Sequence, residues 1–468
     1  MDLLEIKNRQ CINKKDIPQI EFSQFENIIC DENKRVISLF VENNTFYAIL
    51  INNENTKLYL TTCPTKETYQ SFSIKKPCLQ MFEREIYETT GNIPQNHPFL
   101  KPVRTQKNYQ FLKSEDLQTH EVAVGPVHAG IIEPGHFRFL CNGERVNHLE
   151  IMLGYQHKNV EDLIKNQPSI QLSESICGDC TISYTKTFAE NMESLSSIDV
   201  DEKSKLIRQI ALEMERVAIH LGDLGAIAGD VAYQIGANVF AVTRTLVINA
   251  MLDICGNRFG KGLIKLGGVN YDITPDLVEN IKKVLDEVKQ RTKIMADAMF
   301  SNATLLSRLE NTGVITTKRA KEIGLVGMAA RSCGLKIDTR MLDNANFETK
   351  TIKSGDVLAR TYIRYLEILD SIKLIEDLLT NLKGEINLQR YTLNLSPNSF
   401  VCSINEGWRG EVVQSCITDE NGFIQKYKIK DPSFNNWFGL ALAVRNNQIS
   451  DFPVCNKSFN LSYCGFDL

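Results

Sequence analysis

Two different periods of apolar and polar residues follow each other along the chain. Over residues 36–62, three short apolar runs are separated by breaks rich in Asn and Glu, which is typical of an antiparallel β-meander. Residues 79–90 follow a helical period that ends at Gly91. A polar stretch with Pro and Lys comes next, and we place a domain boundary near residue 110.

The second part begins with strands and continues with long helices. Two apolar runs, 136–141 and 145–153, flank the dipeptide Asn142-Gly143, which favours a β-hairpin. Strand-like runs return at about 398–430. Between these two regions lie three long helical stripes, at 201–224, 275–310 and 355–384. On the first stripe we interpret four polar residues as a solvated, salt-bridged face: Glu213, Arg216, His220 and Asp223.

These patterns predict an α+β protein of two domains. Residues 1–110 form an N-terminal α+β domain. Residues 115–468 form a second domain, whose core is a bundle of long helices with small antiparallel sheets. The length of 468 residues agrees with two domains, or three.

Charge and cysteine content exclude several classes of protein. Lys and Arg number 53 against 57 Asp and Glu, and there is no basic stripe, so we expect no nucleic-acid partner. No run reaches 18 apolar residues, and we expect no transmembrane helix. The polar start of the sequence is not typical of a secretory signal. Thirteen cysteines, an odd and dilute number, indicate reduced thiols in a cytosolic protein.

Cys177 and Cys180 form the only CxxC motif. Two thiols at this spacing can face one metal ion or form a redox pair. One CxxC is only half of a metal site, and the other eleven cysteines are scattered singly. The alternative is two buried, apolar cysteines at the start of a helix.

Two further segments carry candidate chemistry. His128, Glu133 and His136 lie in 125–139, where Gly and Pro at both ends favour a loop that handles protons or binds a ligand. Arg409 lies between two glycines and can reach a ligand past these small neighbours. The alternatives are a solvent-facing polar loop and a plain surface turn. The residues alone name no reaction.

Several long motifs resemble one known family. GPVHAGIIEPGHFRF, LEIMLGYQHKNVEDLI, ICGDC, EMERVAIHLGDLGAIAGDVAY and EGWRGE resemble the large subunit of complex-I-like, membrane-associated [NiFe] hydrogenases of the formate hydrogenlyase type. They equally resemble the 49-kDa-type (D) subunit of NADH:quinone oxidoreductase. The segment FEREIYETTGNIPQNHP resembles the 30-kDa-type (C) subunit. The resemblance implies a 30-kDa-like domain at 1–110 and a hydrogenase-large-subunit-like or 49-kDa-like domain at 115–468.

The resemblance also implies where the chain departs from active hydrogenases. Those enzymes hold nickel with four thiolates, from a CxxC that aligns with Cys177 and Cys180 and from a C-terminal DPCxxC. The second motif aligns with 431–436, where Ser433 and Asn436 stand in place of cysteine. The two aligned cysteines are therefore vestigial metal positions that we expect to be empty. Cys455 and Cys464 lie further along the chain and leave a third ligand open.

In the quinone-reducing relatives the corresponding cavity holds the quinone headgroup. The resemblance makes His128, Gly178 and Ser433 candidate cofactor-binding positions, although the headgroup tyrosine of those subunits aligns with Gly178. It also makes His128, Glu133 and Arg409 candidate catalytic residues. We expect this chain to bind no cofactor other than a possible quinone, and an iron–sulfur cluster to lie in a partner subunit.

The function that the resemblance implies is that of an oxidoreductase subunit. The first hypothesis is an electron-transfer subunit without a NiFe centre, which reduces a quinone or another acceptor in the vacated cavity. The second is a catalytically silent scaffold, and the third an active [NiFe] hydrogenase. The expected partners are an iron–sulfur small subunit like the B-type subunit of complex I and a membrane subunit of its H type. They imply a cytoplasmic, peripheral location at the inner face of the cell membrane.

Overall fold

Helices and small sheets alternate through the computed structural model, which describes residues 2–107, 109–130 and 132–468. The α-helices are α1 (Phe22–Cys30), α2 (Gln80–Thr90), α3 (Val160–Asn166), α4 (Ile170–Glu174), α5 (Thr181–Leu195), α6 (Glu202–Asp230), α7 (Gln234–Cys255), α8 (Pro275–Phe300), α9 (Ala303–Leu309), α10 (Thr317–Ile323), α11 (Gly327–Arg331), α12 (Val357–Thr380), α13 (Pro432–Ala443), α14 (Phe452–Phe459) and α15 (Cys464–Asp467). Short 3₁₀ turns lie at Lys14–Asp16, Phe72–Ile74, Pro77–Leu79, Thr339–Leu342 and Ile449–Asp451.

The strands form small, mostly antiparallel sheets. They are β1 (Leu4–Ile6), β2 (Ile12–Asn13), β3 (Lys34–Glu42), β4 (Thr45–Asn52), β5 (Leu58–Pro64), β6 (Thr68–Gln70), β7 (Ile93–Gln95), β8 (His120–Val124), β9 (His136–Asn142), β10 (Arg145–Met152), β11 (Ile264–Lys265), β12 (Gly268–Val269), β13 (Ser399–Glu406), β14 (Glu411–Thr418) and β15 (Ile424–Lys430). Their orders are β1-β5-β4-β3, β10-β9-β8, β11-β12, β15-β14-β13-β2 and the parallel pair β6-β7. The predicted α+β class is confirmed.

The N-terminal sheet contains the expected meander, β3-β4-β5, and gains β1 at its edge. Helices α1 and α2 pack against this sheet. The segment before residue 35, which has no clear sequence pattern, contains β1, β2 and α1. Strand β2 leaves this sheet and pairs with β13, with Ile12 opposite Phe400. The first residues therefore belong to two sheets at once.

The helical core is built around α6. It packs against α7 on one side and α12 on another, and α8 contacts both α7 and α12. The side chain of Asp201 accepts a hydrogen bond from Ser204 N at 2.7 Å, so it caps one of the unpaired amides at the start of α6. The stripe expected at 275–310 is interrupted at Asn302, which caps α9. The other two long stripes, 201–224 and 355–384, correspond to α6 and α12.

Four polar residues of α6 are buried, not solvated as the sequence pattern favoured. His220 Nε2 lies 2.9 Å from Glu367 Oε2 on α12. Arg216 donates to the backbone oxygens of the β13 end, and Glu213 accepts from Ser371 of α12. A helical period does not distinguish a solvated face from one that neighbouring helices cover with opposite charges.

Arg331 is the centre of this buried ionic network. Its Nε donates to Glu367 Oε1 and its Nη1 to Glu406 Oε1, each at 2.7 Å, and Asp338 Oδ2 lies 3.4 Å away. The Arg331 side chain is 1% exposed. The network therefore joins α11, α12 and β13 beneath the hairpin that carries Arg409.

Helix α7 is long and apolar enough to cross a membrane by length and composition, in contrast to the expectation of no such segment. It carries Arg244 near its middle and packs lengthwise between α6 and α8. Its outer side exposes apolar side chains, among them Ile235, Val242 and Leu252. This helix is a layer of the bundle with one uncovered apolar side.

Candidate functional site

The CxxC turn leads directly into helix α5. Cys180 occupies the N-cap position, and the first amides of a helix have no partner within it. Glu215 of α6 supplies one, because its carboxylate accepts from Ile182 N at 2.7 Å and from Ser183 N at 3.3 Å. Burial raises the pKa of Glu215 to about 8, despite these hydrogen bonds. The central helix therefore fixes the start of α5 and both thiols before it.

Asp179 lies between the two cysteines and receives both thiol hydrogens. Cys177 Sγ donates to Asp179 Oδ1 at 3.0 Å and Cys180 Sγ at 3.4 Å. Both cysteines are buried, while the Asp179 side chain is 38% exposed. The three ligand atoms lie within 4.8 Å of one another. Asp179 thus connects a buried dithiol to the protein surface.

Arg409 projects onto this group from the turn between β13 and β14. Its Nη1 lies 3.0 Å from Cys180 Sγ and 3.7 Å from Cys177 Sγ. The same guanidinium holds Asp179 with two hydrogen bonds of 2.8 and 2.7 Å. Its Cζ lies 3.9 Å from the ring centre of Trp408. The arginine is therefore held in one position, with its charge next to both sulfurs.

The hairpin turn is held close to α11 by two glycines. Gly410 has φ +140°, and a Cβ there would lie 2.9 Å from Gly327 Cα. A Cβ at Gly327, where φ is +61°, would lie 2.1 Å from Arg409 O. No other residue type fits this approach of two backbones. This close approach fixes the distance between the Arg409 guanidinium and the two cysteine sulfurs.

Burial and charge set the protonation of the site. Burial alone would raise the pKa of Asp179, but the Arg409 charge and its hydrogen bonds hold that pKa at about 2. Burial raises the pKa of Cys180 to about 12, although Arg409 opposes the shift. The hydrogen bond with Cys180 and burial raise the pKa of Cys177 well above its usual range. At neutral pH the site holds two protonated thiols beside an Asp–Arg ion pair.

The C-terminal segment closes the other side of the dithiol. Ser462 Oγ lies 3.3 Å from Cys177 Sγ and 3.6 Å from Cys464 Sγ. The Ser462 hydroxyl therefore connects the Cys177 and Cys464 sulfurs. Glu133 Oε2 accepts from Cys464 N at 3.4 Å, so the 125–139 loop reaches the site through Cys464.

The other sequence-derived positions lie at varying distances from the thiols. Ser433 Oγ accepts from Ser462 N at 2.8 Å, so Ser433 is one contact removed from Cys177. Asn436 bonds the backbone of Val326 instead. Ser462, rather than Ser433 or Asn436, lies against the Cys177 sulfur. Gly178 is exposed at the tip of the CxxC turn. A Cβ at Gly178 would meet no atom within 4 Å.

His128 lies in the loop, but His136 is the first residue of β9, so the predicted loop ends before it. Both histidines contact backbone carbonyls. His128 Nε2 lies 2.8 Å from Gly135 O, and His136 Nδ1 lies 3.3 Å from Gly125 O. Burial lowers the pKa of His136. Gly135 packs against the ring of Tyr463, the neighbour of Cys464. His128 therefore reaches the thiols only through this packing, whereas Arg409 touches them directly.

A narrow cleft opens beside Asp179 with a volume of about 20 Å³. Glu215, Arg258 and Phe259 line it together with apolar residues of α6 and α7. Sequence reasoning missed Asp179, Glu215 and Ser462 as site residues. The charged residue inside ICGDC was the available signal for Asp179, since an aspartate between two buried thiols is an unusual choice.

Comparison with known proteins shows what this chain is similar to. A model of the respiratory-chain NADH dehydrogenase 49 Kd subunit matches residues 230–403. Formate hydrogenlyase subunit 5 of Escherichia coli strain K12 is 24% identical over 89% of this chain and 80% of its own length. The chain is a relative of these oxidoreductase large subunits. The resemblance expected from its motifs is confirmed.

Other relatives come from both branches. The alpha subunit of the membrane-bound hydrogenase of Pyrococcus furiosus is 28% identical over 73% of this chain and 85% of its own. A D-type subunit of the NADH-quinone oxidoreductase of Chloroherpeton thalassium is 29% identical over 75% and 90%. A chain in the structure of the membrane-bound sulfane sulfur reductase, an archaeal respiratory membrane complex, shares the fold with a TM-score of 0.70 at 23% identity. It is matched over its full length and 76% of this chain.

The chain is thus a subunit of a complex-I-like, hydrogenase-related oxidoreductase complex. The hydrogenase of Pyrococcus furiosus and the sulfane sulfur reductase are both membrane-bound complexes. The division at residue 110 and the roles of the site residues stay predictions.

Proposed function

We propose that this chain is the electron-transfer large subunit of its complex, without a NiFe centre, and that an acceptor is reduced at Cys177 and Cys180. The observation that carries the proposal is Arg409, whose guanidinium lies 3.0 Å from Cys180 Sγ. A fixed, buried cation stabilises negative charge that develops on a neighbouring sulfur. A thiolate formed at Cys180 has this cation within hydrogen-bonding distance.

The donor set around Cys177 does not suit a nickel–iron centre of four thiolates. In the part of the chain that the structure describes, the side chains that hydrogen-bond the Cys177 sulfur are Ser462, Asp179 and Arg409, and Cys180 Sγ lies within 4.8 Å. Gly465, the neighbour of Cys464, has no room for a further thiol, because a Cβ at this position would lie 2.5 Å from Asp431 Oδ2. A serine hydroxyl does not replace a bridging thiolate, since such centres prefer soft ligands.

Electrons reach the dithiol, in this proposal, from an iron–sulfur small subunit that docks over the cleft beside Asp179. Arg258 and Phe259 frame this cleft, and the uncovered apolar side of α7 lies next to it. An apolar patch with charged residues at its rim is typical of a protein interface. A membrane partner of the H type would then hold the assembly at the cytoplasmic face of the membrane.

For the acceptor, the dithiol favours a molecule with a sulfur–sulfur bond. Thiolates attack such bonds directly, and two neighbouring thiols complete the reduction. The structural neighbour from a membrane-bound sulfane sulfur reductase favours this choice. A quinone is the second candidate. In either case His128 and Glu133 are proposed to exchange protons with the site from the 125–139 loop.

The test uses the purified complex, assembled with its neighbouring subunits and pre-reduced. Its oxidation is followed spectroscopically with three acceptors: an organic trisulfide, a short-chain quinone and protons, the last read as hydrogen gas. We expect the trisulfide to oxidise the complex rapidly and Cys180→Ser to abolish this rapid phase. Cys416→Ser is the matched control, because Cys416 is a buried cysteine of β14 away from the site.

The scaffold hypothesis has its own supporting observation. Asp179 and Arg409 fill the space between the thiols and pair with each other. If no acceptor oxidises the complex at a rate that depends on Cys180, while Cys180→Ser assembles normally, the proposal fails and the scaffold function is adopted. Hydrogen production that depends on Cys177 would instead identify an active hydrogenase.

A further inference from the structure

Cys464 is a third thiol at this site. The aligned motifs give it no role. It is buried, with 7% of its surface exposed. Its sulfur lies 3.6 Å from Ser462 Oγ, which in turn lies 3.3 Å from Cys177 Sγ. Cys464 is therefore a neighbour of Cys177 across the Ser462 hydroxyl, and Cys180 is its neighbour across the Asp179 carboxylate. We call Cys180, Cys177 and Cys464, in this order of contact, the thiol row.

The two ends of the row differ in their surroundings. Cys180 faces the Arg409 guanidinium. Cys464 faces Glu133, whose carboxylate meets its backbone amide. The segment around Cys464 is held in place, because Asp467 accepts from Gly154 N at 2.7 Å. One end of the row thus has a cation beside its sulfur, and the other is a rigidly held thiol.

We propose that Cys464 is a third redox-active thiol, and that a disulfide formed between Cys177 and Cys180 is transferred to Cys177 and Cys464. The inference deepens the proposed function, on which it rests for the identity of the oxidant. It gives the site two disulfide states that share one sulfur.

The chemistry is ordinary thiol–disulfide exchange with an oxidant R–S–S–R. The Cys180 thiolate attacks one sulfur of the oxidant, and the first RS⁻ leaves. Cys177, deprotonated, attacks the Cys180 sulfur, and the second RS⁻ leaves. Two thiols have now lost two electrons and two protons, and the oxidant has become two thiols.

The transfer step needs no further oxidant. The Cys464 sulfur attacks Cys177 Sγ, a Cys177–Cys464 bond forms, and the Cys177–Cys180 bond breaks. Cys180 leaves as a thiolate beside Arg409. It then takes up the proton that Cys464 has lost. Cys180 is then free to meet a second oxidant molecule. A site of three thiols can therefore keep its nucleophile reduced while it stores two oxidising equivalents as one disulfide.

Peptide mapping tests the transfer directly. The full chain in its complex is oxidised with a stoichiometric amount of trisulfide, the free thiols are blocked with N-ethylmaleimide at low pH, and trypsin is added. Cleavage after Lys and Arg gives peptide 166–186, which contains Cys177 and Cys180, and peptide 458–468, which contains Cys464. A Cys177–Cys180 disulfide stays within the first peptide, whereas a Cys177–Cys464 disulfide joins the two peptides.

We expect the joined peptides in the wild type and, after long incubation, in Cys180→Ser, and their loss in Cys464→Ser. Cys455→Ser is the matched control, because Cys455 is buried nearby but falls in peptide 446–457. It should leave the joined peptides unchanged. Oxidation confined to peptide 166–186 in the wild type, with Cys464 recovered as a blocked free thiol in Cys180→Ser, would overturn the inference.

The peptide mapping and the acceptor assay can fail independently of each other. If the joined peptides form with a general disulfide reagent while no acceptor oxidises the complex, the thiol row stands and the proposed function fails. If Cys180-dependent reduction occurs and peptide 458–468 never joins, the proposed function stands and the role of Cys464 is wrong.

Discussion

Arg409→Met removes the cation of the site while keeping most of the side-chain volume. The variant loses both hydrogen bonds to Asp179, and with them the nearest donor to Cys180 Sγ. Breaking a fully buried ion pair costs about 3–5 kcal/mol, and an exposed one about 0.2–1 kcal/mol. Since Arg409 is 4% exposed and Asp179 38%, we expect a loss of roughly 2 kcal/mol in the free energy of unfolding.

The effect on catalysis should be larger than this loss of stability. Removing one fixed donor next to a developing charge lowers kcat by about a hundredfold to a thousandfold. Arg409→Lys should fall between the wild type and Arg409→Met, because an ammonium keeps the charge but cannot hold Asp179 with two parallel bonds. The assays are urea denaturation of the chain and trisulfide-driven oxidation of the assembled complex.

Arg308→Met serves as the control for removing an arginine. Arg308 Nη2 lies 3.3 Å from Asp451 Oδ1, and its side chain is 49% exposed, so we expect a loss below about 1 kcal/mol. Its rate of acceptor reduction should equal that of the wild type. A folded Arg409→Met complex that reduces the acceptor at the wild-type rate would refute the reasoning about the cation.

Three further outcomes follow from the buried charges and the donor set. Arg331→Met leaves Glu367 and Glu406 without their central partner and should lower the free energy of unfolding by about 3–5 kcal/mol, measured by urea denaturation. Burial opposes ionisation of Glu411, but Arg35 and Lys430 outweigh it and hold its pKa at about 2, against an ordinary value of 4.5. This lowered pKa contributes stability that is fully present above pH 4.5 and lost as the pH falls towards 2, so Glu411→Gln should flatten the acid limb of the stability profile. Elemental analysis of the purified complex should find no stoichiometric nickel, and nickel that disappears in Cys177→Ser would contradict this.

The periodic parts of the fold were predictable because each depends on nearby residues. The apolar stripes of α6 and α12 and the Asn142-Gly143 hairpin can each be recognised from a short segment of sequence. The pairing of β2 with β13 could not be found in this way. Asn8 Nδ2 donates to Ile404 O, 396 positions later, and no local pattern records such a contact.

The site was predictable only in part, for a similar reason. The CxxC motif and Arg409 stand out by residue type, and the structure brings them into contact. Cys464 looks like any single cysteine until the C-terminal segment folds against Cys177. The alignment pointed to 433–436 because that segment keeps Asp and Pro, whereas packing places Ser462 against the sulfur.

The β2–β13 pairing also has a consequence for synthesis of the chain on the ribosome. Strand β2 emerges among the first residues, but its partner strand is made only after nearly four hundred more. Contacts between such distant positions form late and slow the folding of a domain. The sheet that carries Arg409 is therefore completed only towards the end of translation, and a nascent chain keeps an unpaired strand until then. Pulse-labelled chains arrested before residue 399 should stay sensitive to protease at their N-terminal segment.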